Sequence, residues 1–356
     1  MHSIRLYALL LASVLLVAAP CEARARRRLR ADKAAAKSAK QTLTIATLLP
    51  SGTSWMRLFR QFARRVRERT GGTLRIRYYP GGVMGDERDM IAKLKRGRID
   101  GGALTGMGLG QLAGAVRAFE LPFFFERAET LYAVRKQLEP QLRAALRKGG
   151  VELLAWGDIG WIHFFSRRPM VTRDDILKLR TWAWGDDELA IALVRKLGVK
   201  YRPLAVHGVL PALQSGIIDT VYGSFYTTLS LQWYTQVRYA TAPHVTFAQA
   251  AMVVSNAAFK RLSAAQQRVL MRESRWLERE HVRRLARDNR AARRTLRKQG
   301  LIIQEAKPDL VRYLRKRSRD VWREMAGKVF DASWLKRVGA ARDAIRARQR
   351  QSAGRH

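Results

Sequence analysis

Ile91-Ala92-Lys93-Leu94-Lys95-Arg96-Gly97-Arg98-Ile99-Asp100 is echoed by Leu210-Pro211-Ala212-Leu213-Gln214-Ser215-Gly216-Ile217-Ile218-Asp219. Each stretch reads as the end of a short helix, a glycine that stops it, an Ile-Asp pair and the entry to a strand. The two copies lie roughly 120 residues apart, far beyond any solenoid period. The echo predicts two lobes of similar construction, each sending a strand end toward a shared cleft. Clefts at strand ends are where α/β proteins place ligands.

The remaining pattern agrees with that reading. Leu43 to Leu49 is an apolar strand, and Pro50-Ser51-Gly52 turns into a helix with Trp55, Leu58, Phe59, Phe62, Ala63 and Val66 on one stripe. Leu74 to Tyr79 and Asp100 to Leu104 read as strands, Asp89 to Arg96 as a helix. Arg261 to Gln299 is a long basic helix, with Asn256, Ser263 and Gln266 as cap-like starts; a strand near Leu301 to Ile303 and a helix from Pro308 to Met325 follow. Strands alternating with helices predict an α/β protein whose sheets are covered on both faces. The expected divisions are a signal peptide over 1–23, a basic flexible tether over 24–41, one lobe mainly from 42–165 and a second mainly from 166–250. Residues 251–335 would supply the long helix and return segments packing on both lobes, and 336–356 a frayed basic tail.

The chain starts with Arg5, an apolar run from Leu6 to Ala19 and small residues at Ala23 and Ala25, the pattern of a secretory signal peptide. Cleavage there removes Cys21, the single cysteine, so no disulfide framework is expected. Pro20 argues against a lipid anchor at Cys21. The expected location is the periplasm. A net charge of +39 suits anionic partners, but the bases are dispersed on helix faces (Arg64, Arg65, Arg67 and Arg69, for example) rather than set in a nucleic-acid motif. The reading is a solvated surface with, at most, weak attachment to an anionic envelope surface, on a monomer that binds no nucleic acid.

Enzyme readings find little support. Ser51, Ser215 and Ser224 lack a nucleophile-elbow setting. Gly101-Gly102, Gly106, Gly108 and Gly110 are not followed by the Lys-Ser/Thr of a phosphate loop. His163 and His207 have no neighbours at metal-ligand spacing and read as polar wall or surface residues. No enzyme activity, cofactor or metal is expected.

Leu177 to Trp184, LKLRTWAW, reads as one strand with Lys178, Arg180, Trp182 and Trp184 on one face. A buried arginine there needs an anionic partner, either a protein carboxylate such as Asp186 or Asp187, or a ligand. Six segments in order carry a family resemblance: LTIATLLPSGTSW (43–55), RIRYYPGGVMGDERDMIAKLKRGRIDGGALT (75–105), ELPFFFERAET (120–130), LKLRTW (177–182), PALQSGIIDTVYGSF (211–225) and the run over 236–270. The chain resembles the DctP-type solute receptors of tripartite ATP-independent periplasmic (TRAP) transporters. The resemblance implies a two-lobe, type II-like binding-protein fold, each lobe a mixed sheet flanked by helices, with crossing strands and a long interlobe helix. It also implies capture of an organic anion and delivery to membrane permease subunits. In the family the arginine of the LKLRTW strand grips the ligand carboxylate, which here would be Arg180.

The sequence departs from the family pattern at three places. Ile162 stands where a second arginine is common, Gly208 and Leu210 replace a Glu-x-Tyr pair, and Thr220-Val221-Tyr222-Gly223 replaces Gly-x-Glu-Asn. Polar contacts are exchanged for apolar ones, so the expected ligand is an apolar or aromatic monocarboxylate. The candidate binding residues are Arg180, Trp182, Tyr222, Phe225, Trp161, Phe124, Trp55 and Thr105. Two rival readings are a periplasmic carrier of a lipid-like ligand, or a ligand-presenting sensor component with the same fold. A third is a polyanion binder that uses the basic surface.

Overall fold

The computed structural model describes residues 40–185 and 187–353. The expected signal peptide, nearly all of the tether, and Asp186 lie outside the described residues. Chain order in the first half is β1 (Gln41–Thr47), α1 (Ser54–Arg69), β2 (Leu74–Tyr79), α2 (Glu87–Lys95), β3 (Gly101–Thr105), α3 (Gly106–Leu112), a 3-10 turn (Gly114–Phe119), α4 (Ala128–Lys148) and β4 (Val151–Trp156). Then come β5 (Gly160–Ser166), α5 (Arg173–Leu177), β6 (Arg180–Trp184), α6 (Glu188–Lys196), β7 (Lys200–Leu204), α7 (Val209–Gln214), β8 (Thr220–Gly223) and α8 (Phe225–Ser230). The last part is β9 (Tyr239–Ala248), β10 (Ala250–Ser255), α9 (Asn256–Arg261), α10 (Ala264–Lys298), β11 (Ile302–Glu305), α11 (Pro308–Met325) and α12 (Ala332–Ala353).

Two mixed sheets result, ordered β2-β1-β3-β10-β4 and β11-β9-β5-β8-β6-β7. The parallel pairs β1–β2, β1–β3, β6–β7 and β6–β8 come from strand–helix–strand units; β10 and β5 add antiparallel pairs. Helix α1 shows why the sequence builds this. Thr53 caps it by accepting from Met56 N, and its Met56, Leu58, Phe59, Phe62 and Val66 are buried against the first sheet. Each such side chain removed from water contributes roughly 1.5–3 kcal/mol.

The echoed segments occupy equivalent places. Gly97 and Gly216 end α2 and α7 with φ of 67° and 73°, the left-handed region that glycine reaches without a Cβ clash. Asp100 then accepts from Thr44 N in the middle of β1, at 2.9 Å, and Asp219 from Arg180 N at the start of β6, at 2.8 Å. Both strands leave these aspartates and run toward the other lobe.

Two crossings join the lobes, β4 to β5 through Asp158, and β9 to β10 through Gln249. Arg135 of α4 holds both: it makes a bidentate pair with Asp158, at 2.6 and 2.9 Å, and donates to Gln249 Oε1 at 2.9 Å. Helix α10, started by a Ser263–Gln266 capping box, packs on α1 and β4 on one side and on α8 and β5 on the other.

Three sequence expectations change. LKLRTWAW is not one strand: Leu177 closes α5, and β6 begins only at Arg180, because Thr172 and Asp175 form a capping box that starts a helical turn. β5 belongs to the second sheet, so the lobe change falls at the β4–β5 crossing rather than near residue 165. The expected frayed tail is largely α12, which packs on α4 and the 3-10 turn with Val338, Ala341 and Ile345 buried. Its apolar stripe is thin and alanine-rich, which hid the helical period among the arginines.

Candidate functional site

The C-terminal ends of β1, β3, β6 and β8 face one another across the gap between the sheets. A cavity of about 210 Å³ lies there. Elements of both lobes line it. Thr105, Met107 and Trp55 come from the first; Trp182, Trp184 and Tyr222 come from the second.

Helix α3 shapes one wall through its glycines. A Cβ on Gly106 would collide with the Glu120 carboxylate, one on Gly108 with Glu87 Oε2, and one on Gly110 with the Arg117 side chain. The alternating Gly-x-Gly-x-Gly is therefore room made for three buried charged groups. Glu87 accepts from Thr105 N at 2.7 Å, Thr105 Oγ1 at 2.9 Å and Gly108 N at 2.8 Å. Arg117 pairs with Glu120 of its own lobe and with Asp187 of the opposite lobe. Asp187 has further partners, since it caps α6 by accepting from Leu189 N and Ala190 N. Burial raises Glu87 and Glu120 to about 7, against their hydrogen bonds and, for Glu120, against the neighbouring guanidinium. Arg117 is the one cationic side chain among the described residues that line the cavity.

The aromatic wall is built on the second sheet. Trp182 stacks on Tyr222 with centroids 4.7 Å apart and donates from Nε1 to Leu204 O at 2.9 Å. Across the gap Trp55 stacks on Tyr226 at 4.1 Å and meets His281 edge-on at 4.9 Å. Contacts bridge the lobes around the cavity: Trp184 Nε1 and Val206 N both donate to Asp86 Oδ2, at 3.0 and 3.1 Å, and Ser54 shares a hydrogen bond with the Tyr226 hydroxyl. The described structure is thus a closed arrangement.

Of the eight expected binding residues, Trp55, Thr105, Trp182 and Tyr222 line this cavity, and four do not. Arg180 sits at the opposite end of β6 from the cleft. Its side chain is 51% exposed and turned onto Asp219, Nε to Oδ2 3.3 Å. In the other lobe Arg261 meets the equivalent Asp100, so Arg180 holds the end of a strand in the way its counterpart does. Trp161 lies on the outer side of β5, stacked on His244 at 3.7 Å, because alternation turns Ile162 and Phe164 to the cavity instead. Phe225 is the first residue of α8 and packs beneath it near His163 and Phe165, leaving Tyr226 to face the cavity. Phe124 is buried away from the cleft, against Trp322 and under Arg342 at 4.1 Å. His163 is half-buried beside Thr241, and burial lowers it to about 4; His207 is exposed. Sequence reasoning missed Glu87, Arg117 and Glu120, and offered Asp187 only as a partner for Arg180, whereas it meets Arg117. The usable signal was the glycine alternation in α3, which marks a helix approached closely on opposite sides, by Glu120 and Arg117 on one and Glu87 on the other.

The sequence model of DctP, described as bacterial extracellular solute-binding protein, family 7, matches residues 45–328. A "Solute-binding protein" of Chromohalobacter salexigens is 24% identical over 204 residues, 57% of this chain and 60% of that protein. The Escherichia coli "2,3-diketo-L-gulonate-binding periplasmic protein YiaO" is 24% identical over 216 residues, 60% of this chain and 65% of its own. These matches thus span less than two thirds of the curated relatives' length. Among solved structures, a TRAP periplasmic solute-binding protein from a Sulfitobacter species with bound β-D-galacturonate superposes with a TM-score of 0.79 at 18% identity, covering 85% of this chain and all of that one (100%). A Bordetella pertussis extracytoplasmic solute receptor binding pyroglutamic acid gives 0.79 at 18%, covering 85% and 99%. At such identities the likeness establishes the shared two-lobe fold.

Proposed function

Because this chain belongs to the DctP family of bacterial extracellular solute-binding proteins, family 7, we propose that it is the extracytoplasmic receptor of a TRAP transporter. In this reading the lobes close over a small organic acid and present it to a membrane permease, with no chemistry done on the solute. The observation that carries the reading is the cavity between the lobes, walled by both sheets and closed over by bonds such as Trp184–Asp86. A solute that bridges the lobes favours the closed form by its differential affinity for it.

The hexuronate and pyroglutamate named for the structural neighbours support an acid as the solute. The walls here favour an apolar or aromatic body over a polyhydroxylated one: Ile162, Trp182 and Tyr222 offer surface rather than hydrogen bonds. The carboxylate meets Arg117 in place of the expected Arg180. It takes the position of Asp187 on the guanidinium, and Asp187 keeps its two helix-capping bonds, so no carboxylate is orphaned.

Titration calorimetry with phenylacetate, benzoate, pyroglutamate and D-glucuronate on wild type and two variants tests this. Arg117→Lys keeps the charge but loses the fork, and should weaken binding of the preferred acid by about 2 kcal/mol or more, roughly thirtyfold. Arg180→Ala should bind within about twofold of wild type. Binding lost in Arg180→Ala and kept in Arg117→Lys would reverse the assignment.

A further inference from the structure

Three residues that line the cavity each bury a polar ring atom with no hydrogen-bond partner: Trp55 Nε1, Trp156 Nε1 and His281 Nδ1. Each of these residues is 2% exposed. A buried unpaired donor or acceptor is costly, so three on one cavity call for an explanation. They come from different elements, α1, β4 and α10, of which α10 packs on the other two. Glu278 accepts from Trp156 N at 3.0 Å, and His281, on the next turn, reaches Asp158 O through Nε2 at 2.8 Å and meets the Trp55 ring.

The bonding pattern sets their chemistry. A backbone carbonyl only accepts, so His281 Nε2 carries the proton. Burial holds the ring below the ordinary histidine pKa, which leaves Nδ1 as a bare acceptor. The unpaired set is therefore two N–H donors and one acceptor. A carboxylate satisfies the donors but has nothing to give Nδ1, and an ammonium group satisfies only Nδ1. A hydroxyl accepts and donates at one oxygen and can satisfy the set.

We propose that Trp55, Trp156 and His281 form a hydroxyl-selective subsite that holds the uncharged end of the solute, so the receptor prefers an acid whose apolar body carries an alcohol or phenol. This inference rests on the receptor reading above and deepens it.

The test is a thermal-shift screen of the purified full chain against small carboxylic acids in matched pairs, including phenylacetate with 4-hydroxyphenylacetate and 3-phenylpropionate with 3-phenyllactate. Hits are titrated on wild type, Trp55→Phe, Trp156→Phe and His281→Phe. The hydroxylated member should bind about tenfold tighter to wild type. Each Trp→Phe change should erase most of that preference, so that both members of a pair bind the variant within about twofold of each other. The ligand-free Trp variants should unfold at or above the wild-type temperature, because each loses an unpaired buried donor; a merely structural role would lower it. Equal binding of both members by wild type, or a preference that survives in all three variants, overturns the subsite and leaves the receptor reading intact. No shift with any acid overturns the receptor reading and the subsite with it.

Discussion

Glu87 and Glu120 are withdrawn from water by the cavity wall, and burial raises both from 4.5 to about 7. Between those values the folded state keeps a proton that the unfolded chain has released. Ionising the group in the folded state then costs free energy, so this part of stability is present below about pH 4.5 and is lost as pH rises to about 7. At 1.36 kcal/mol per pH unit, each group accounts for on the order of 3 kcal/mol. Glu120→Gln removes one titration, so its stability relative to wild type should improve by on the order of 2–3 kcal/mol between about pH 5 and about pH 8. Urea unfolding at both pH values measures this, and a gap that does not move with pH would show that Arg117 keeps Glu120 ionised throughout. Arg180 carries the contrasting lesson. Residue type and family position pointed to a ligand, yet Asp219 supplies its anion. An arginine's partner depends on which strand end it occupies, and a local sequence window does not contain that information.

Helix α3 inverts the ordinary rule for glycine. In a helix interior Gly→Ala usually stabilises by about 0.5–1 kcal/mol. Here the space beside Gly106 and Gly108 is filled by the Glu120 and Glu87 carboxylates. Gly108→Ala should therefore destabilise by about 1–3 kcal/mol, the range for overpacking a fixed site. Chemical denaturation of the variant decides the sign, and a stabilised Gly108→Ala would mean that Glu87 can move aside at little cost. Gly52 has nothing near its missing Cβ and serves as the control substitution. The elements themselves were largely legible. Apolar periodicity located α1 and β2, and cap residues located the start of the long basic helix α10. What the pattern did not reveal was α12, where Ala341 does the work of a larger core residue. A stripe of small side chains carries too little contrast against arginine to register as a period.

Across the whole molecule, closure rests on few bonds. Asp86 caps α2 through Oδ1 while its Oδ2 accepts from Trp184 and Val206 of the opposite lobe. Hydrogen bonds to an ionised group are worth about 1.5–3 kcal/mol each. Asp86→Ala removes both interlobe bonds and should shift the ligand-free population toward the open form. Small-angle scattering should then show a larger radius of gyration that a saturating solute reverses; an unchanged radius would place the latch elsewhere, at Arg117–Asp187 or Ser54–Tyr226.

The sequence by itself determined the α/β alternation, the two related lobes and the family. Hydrophobic period, caps and the echoed helix–glycine–Ile-Asp units are local properties, and each acts within about one element's length. Only the tertiary structure decided which side chains share the cavity. Trp182 and Arg180 lie two residues apart on one strand face, yet the first lines the cavity and the second ends in solvent on Asp219. Arg117 and Asp187, which no motif joins, meet across the gap. Each strand step advances about 3.3 Å along the sheet, so a two-residue shift moves a side chain by more than a hydrogen-bond length. Which end of the strand faces the other lobe is set by the crossings that Arg135 holds together.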